Sequence, residues 1–228
     1  MNIYKQKFLF LTGLVLITLS FNANSAPIVL DFEGIGNNAQ ILEFYNGGTD
    51  SAGNSGPNYG VSFNDTALAI IDSDAGGGGN TANEPSPETV LFWLSTESAI
   101  LNYAAGFETG FSFFYSASTA FPDGSVDVWD GVNATGNLLG TINLPGNFQD
   151  GGCSGDPNGA YCNWDAAFLG FAGIAKSIDF NGAANYIAFD NVTFGSITPG
   201  GSVPEPGAIG LLALGLLGLG LTRKRGIS

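Results

Sequence analysis

A 228-residue chain with no histidine builds neither a Ser-His-Asp nor a Cys-His nucleophile, and no zinc or iron site that needs imidazole. Of its six Lys and Arg, five (Lys5, Lys7, Arg223, Lys224 and Arg225) lie near the termini; Glu205 is the one acid outside the middle, which leaves 19 acids against Lys176 alone. Such a polyanion cannot neutralise phosphates, so nucleic acid and anionic lipid are excluded as partners, while divalent cations and neutral sugars stay compatible.

In chain order, Lys5 and Lys7 precede a mostly apolar run from Phe8 to Phe21 and then Ala23-Asn24-Ser25, the basic, apolar and small-residue regions of a signal peptide. Residues 1–25 are therefore expected to be removed by signal peptidase. A cut after Ala26 would set Pro27 beside the scissile bond. Residues 26–200 then form one exported domain, long enough for a substantial core.

Within it, apolar residues come in short runs broken by turn formers, with no sustained period of 3.6, which predicts an all-β fold. Predicted strands are 28–33, 61–63, 67–71, 90–94, 107–115, 125–129, 138–144, 168–171, 175–180 and 186–194. In Ser125-Val126-Asp127-Val128-Trp129 the valines face one way and the acid and tryptophan the other, as in a sandwich strand with one buried face. Asp130-Gly131 and Asn181-Gly182 are turn dipeptides. Segments 46–58 and 72–87, rich in Gly, Ser, Asn and Pro, are expected to be the least ordered. Gly34-Ile35-Gly36-Asn37-Asn38-Ala39 has the letters of a dinucleotide fingerprint, but no amphipathic helix follows it, and a loop is expected.

Cys153 and Cys162 flank a Gly, Pro and Asn loop in a chain bound for an oxidising compartment, and one disulfide is expected. Asp72, Asp74, Glu84, Glu88, Glu97, Asp127 and Asp130 offer many formal carboxylate pairs for glycoside cleavage, with none standing out, so no catalytic residue is assigned. Trp93, between Leu91-Phe92 and Leu94, is a core residue; Trp129 and Trp164, beside turns and acids, are candidates for stacking on sugar rings.

The chain closes with Val203-Pro204-Glu205-Pro206, an uncharged block from Gly207 to Leu221, and Arg223-Lys224-Arg225. Fifteen helical residues span about 22 Å, short of a hydrocarbon core of about 30 Å. The basic cluster after the block holds the terminus in the cytoplasm. The prolines keep the segment before it extended. Residues 201–228 resemble the PEP-CTERM sorting tail. The resemblance implies recognition at Val203–Pro206 by exosortase, with transient anchoring in the inner membrane of a Gram-negative bacterium before display at the cell surface or in an exopolysaccharide matrix.

The opening Leu30-Asp31-Phe32-Glu33-Gly34 and the ending Ile187-Ala188-Phe189-Asp190-Asn191-Val192-Thr193-Phe194-Gly195 resemble the first and last strands of galactose-binding-like carbohydrate modules, which are β jelly rolls. That likeness implies a jelly-roll-like β-sandwich and a structural calcium ion joining the two strands through Glu33 and Asp190, with Asp31 and Asn191 as additions. Together these features describe an exported, acidic β-sandwich with a structural or carbohydrate-binding role. The competing reading is a secreted glycosidase or lyase.

Overall fold

A computed structural model describes residues 26–120, 124–150, 153, 159–182 and 184–201; residues 1–25, read above as a signal peptide, and the tail, with Val203, Pro204, Glu205, Pro206, Arg223, Lys224 and Arg225, lie outside them. Among the described residues the strands are β1 Ile28–Leu30, β2 Ala39–Gln40, β3 Val61–Phe63, β4 Leu68–Ile71, β5 Thr89–Phe92, β6 Ala99–Phe107, β7 Phe111–Ala117, β8 Gly124–Trp129, β9 Leu138–Leu144, β10 Asp165–Leu169, β11 Ala175–Asn181 and β12 Ile187–Phe194. They form two antiparallel sheets of a β-sandwich. One runs β10-β7-β12-β5-β4-β2 with β1 also on β12, and the other runs β3-β6-β11-β8-β9.

Period-2 alternation turns one face of each strand inward. In β8, Val126 and Val128 are fully buried while Asp127 and Trp129 face out. In β7, Phe111, Phe113 and Tyr115 point into the core. The two sheets meet through aromatic rings: Phe180 and Phe189 lie 4.8 Å apart and Phe107 and Phe194 likewise, while Trp93, just after β5, stacks at 6.0 Å on Phe189 of the neighbouring strand in its own sheet. Such edge and offset contacts add to the burial term that holds a sandwich together.

In β12 the pairing with β7 shifts register between Asp190 and Thr193, where Asn191 has φ 49°. A bulge of this kind inserts a residue and reverses parity. Phe189 and Phe194 therefore both face the core, and Asp190 turns onto the other face of the sheet.

The departures from the sequence reading have physical causes. The predicted strand 107–115 is the end of β6 and the start of β7, divided by Glu108-Thr109-Gly110; Thr109 has φ 74° and the Gly110 amide donates to the Glu108 carbonyl at 2.9 Å. Most of β6 went unpredicted because its pairing with β11 jumps from Ala175–Phe107 to Ser177–Asn102, so a bulge interrupts the alternation within Tyr103-Ala104-Ala105-Gly106. The segments expected to be least ordered are pinned. Asn46 bridges to Asn58 and Thr49 to Ser55, and Asp50 accepts from the amides of Gly36, Ala52 and Asn54 at 2.7–2.9 Å. The glycine-rich stretch after Asp31 is a loop organised by that same carboxylate. Cys153 and Cys162 form a disulfide with a Cα–Cα distance of 5.4 Å.

Candidate functional site: an uncharged cleft between two loops

The long loop between β4 and β5 and the disulfide-bearing loop between β9 and β10 meet over the outer face of the larger sheet. Their backbones pair: Ala160 and Tyr161 amides donate to the Asn80 carbonyl at 2.7 and 3.1 Å, and the Ala82 amide donates to the Tyr161 carbonyl at 3.0 Å. Trp164 Nε1 donates to the Ala82 carbonyl at 3.0 Å, fastening the contact from behind. Phe148 supports Tyr161, ring centroids 5.4 Å apart, and its carbonyl accepts from the Cys162 amide at 2.9 Å. The disulfide thus braces the segment that presents Tyr161.

Between these loops and the sheet lies a small open cleft of about 40 Å³. Ile70, Val90, Phe92 and Ala188 line it from the sheet, Asn80, Thr81 and Tyr161 from the loops, and Asn185 from the turn before β12. Ile70 faces Val90 across β4 and β5, with Ala69 and Leu91 turned the opposite way into the core. None of the lining residues is charged. Burial raises the pKa of Tyr161, so its hydroxyl is a neutral donor and acceptor at physiological pH.

The tryptophans singled out by sequence do not share a platform. Trp164 buttresses the cleft through its indole N–H and is absent from its lining. Trp129 sits on the outer face of the other sheet, opposite Ser177, with Asp127 on the same face. Trp93 is in the core. Asn80, Tyr161 and Asn185 were not anticipated, because loops far apart in sequence bring them together; the one local signal was Tyr161 next to a disulfide cysteine.

Glu33 and Asp190 do converge, around Ser86. Its Oγ lies 2.7 Å from Asp190 Oδ1, 2.9 Å from the Asp31 carbonyl and 3.4 Å from Glu33 Oε1, three acceptors around one hydroxyl hydrogen. Asp190, with no exposed surface, also accepts from the amides of Ser86 and Asn191 at 2.7 and 2.6 Å. Glu33 accepts from the amides of Glu88 and Thr89 at 3.0 and 2.9 Å. Hard oxygen ligands of the kind calcium prefers are gathered here, although N–H donors already address both carboxylates. Among the described residues no three Asp, Glu, Cys or His side chains cluster as a metal-binding set.

Residues 202–225 match the PEP-CTERM protein-sorting motif. The chain is an exported protein of the cell envelope by that motif. No curated protein matches it. Solved structures similar to it include the K2 cleaved adhesin domain of Lys-gingipain, at 15% identity over 76% of this chain and 99% of that one, TM-score 0.48. Another is a β-1,3-glucan-binding family 6 carbohydrate-binding module from Bacillus halodurans, at 18% identity over 57% and 87% of the two chains, TM-score 0.35. A third is a carbohydrate-binding module from Cellvibrio mixtus lichenase 5A in complex with cellotriose, at 15% identity over 55% and 86%, TM-score 0.32.

The Asp190 node gives the domain a pH signature. Burial, with Glu33 adding repulsion, outweighs the donors at Asp190 and raises its pKa to about 7. The unfolded carboxyl releases its proton near pH ~4 while the folded one keeps it, so this group's contribution to stability falls as pH rises from about 4 to about 7, by on the order of 4 kcal/mol. Urea unfolding in chelator across that range should show the decline, and Asp190→Asn, whatever its absolute stability, should flatten it. An equal slope in the variant removes Asp190 as the cause.

Proposed function

We propose that this PEP-CTERM protein binds a neutral carbohydrate chain at the cell surface or in an exopolysaccharide matrix, using the cleft between Asn80–Thr81 and Tyr161. One observation carries the reading: an uncharged cleft on a strongly acidic domain. Neutral sugars offer hydroxyls for amide and hydroxyl partners, and C–H faces for apolar or aromatic surface; Asn80, Tyr161 and Asn185 supply the first, and Ile70 and the Tyr161 ring the second. An enzymatic reading would want carboxylates at the scissile bond, and this lining has none.

Purified protein passed over a panel of immobilised neutral polysaccharides should be retained by at least one without shortening it, and Tyr161→Ala should weaken that retention about tenfold or more. Shortened chains would favour the hydrolase or lyase, and unchanged retention of the variant would move the site elsewhere.

The sorting route is proposed in the same spirit. Exosortase reads the Val203–Pro206 segment and the tail leaves the membrane after processing; Glu205→Ala should accumulate as an unprocessed membrane form on immunoblots of fractionated cells, and normal maturation of that variant would contradict the assignment.

A calcium ion at the Glu33–Asp190 node, with the Asp31 carbonyl as a further oxygen, is proposed as a structural element. Binding to the folded state alone would raise the melting temperature with added calcium and lower it with chelator; an unchanged melting temperature in both would remove the ion.

A further inference from the structure

The loop from β10 to β11 is Gly170-Phe171-Ala172-Gly173-Ile174, five consecutive residues without one polar side chain, and all but Phe171 are exposed. Elsewhere the connections carry polar side chains; the segment after β5, for example, includes Leu94-Ser95-Thr96-Glu97-Ser98. An exposed apolar run of this length costs solubility and marks a contact surface.

Its neighbours enlarge it. Ile174 packs against Gly106, and Ile197 approaches Gly110 so closely that a Cβ there would lie 2.7 Å from its Cγ2. Phe168, one residue before the end of β10, is 59% exposed, Ile197 52% and Ile174 46%. All of them sit where the chain leaves the domain. The Gly195 amide donates to the Gly110 carbonyl at 2.9 Å, and Thr109 Oγ1 to the Gly195 carbonyl at 3.3 Å, which joins the Glu108–Gly110 turn to the outgoing segment. Lys176, the domain's one cation, lies two residues beyond Ile174.

After Gly201 the uncharged block begins at Gly207, and six residue steps reach at most about 20 Å. If the block enters a bilayer, this end is held within that distance of the lipid surface, and at such effective concentrations a weak contact is occupied. We propose that the 170–174 loop, with Phe168 and Ile197, is a lipid-interface surface that seats the domain on zwitterionic headgroups before the tail is processed. A bilayer without net charge neither repels the acidic domain nor needs its basic residues, and the apolar loop supplies the attraction. This inference rests on the reading of the tail as membrane-entering.

The test uses the full chain reconstituted in phosphatidylcholine vesicles, with a fluorescent thiol probe on Ile174→Cys or, at the opposite end beside Asn185, on Leu94→Cys. Lipids brominated near the headgroup should quench the 174 probe at least threefold more than the 94 probe. Adding Ile197→Asp, with melting temperature unchanged, should reduce the quenching at 174. Flotation with the vesicles but equal quenching at both positions overturns the proposal alone, as does probe–probe excimer formation at 174 without lipid quenching, which would mark a second copy as the occupant. Failure to float overturns the tail reading and the proposal together.

Discussion

Nineteen acids share one lysine in this domain, and almost everything else in the structure follows from how those charges are held. With Lys176 as the one cation, most carboxylates are satisfied by N–H and O–H donors. At Asp50 partial burial works to raise the pKa, and four hydrogen bonds, from Gly36, Ala52 and both nitrogens of Asn54, overcome it and leave the pKa lowered. At Asp130 the Asn137 side chain and backbone do the same. Asp127 takes the Thr141 hydroxyl at 2.6 Å. Asp50 and Asp130 fix loop backbone in this way, so acids that make the domain anionic also shape its loops, while Asp127 ties β8 to β9.

The Ser86 node is the most demanding case, because two carboxylates share it and one is fully buried. There the donors do not win outright, and Asp190 keeps a raised pKa. The node ties the loop before β5 to the departure from β1 and the bulge in β12. That same loop, further back, pairs with the disulfide-bearing loop and walls the cleft. Glu84, whose pKa burial raises, with Asp72 and Asp74 adding to the effect, belongs to this loop as well and is not part of the cleft lining. Charge is spent on shaping the wall and is kept off the surface that a ligand would touch.

Features written in local pattern were legible from sequence: the β8 alternation, the turn glycines, the disulfide and the sorting tail. Features that depend on interrupted pattern were not. The bulge at 103–106 hid most of β6, and Thr109 at positive φ hid the turn that starts β7. The proximity of Glu33 and Asp190 came through a resemblance of the end strands, yet Ser86, more than fifty positions from the first and a hundred from the second, carried no signal that it would stand between them. The cleft was illegible for the same reason. Asn80 and Tyr161 meet only because two loops pair backbones, and nothing in either stretch alone specifies that partner.

Hydrogen–deuterium exchange of the exported protein with and without a retained neutral oligosaccharide bears most directly on the cleft. The expected result is added protection of amides in 79–82 and 160–164, with the outer face around Trp129 unchanged. Protection confined to 125–129 and 177–181, or none in the two loops at saturating sugar, would contradict the placement of the binding site.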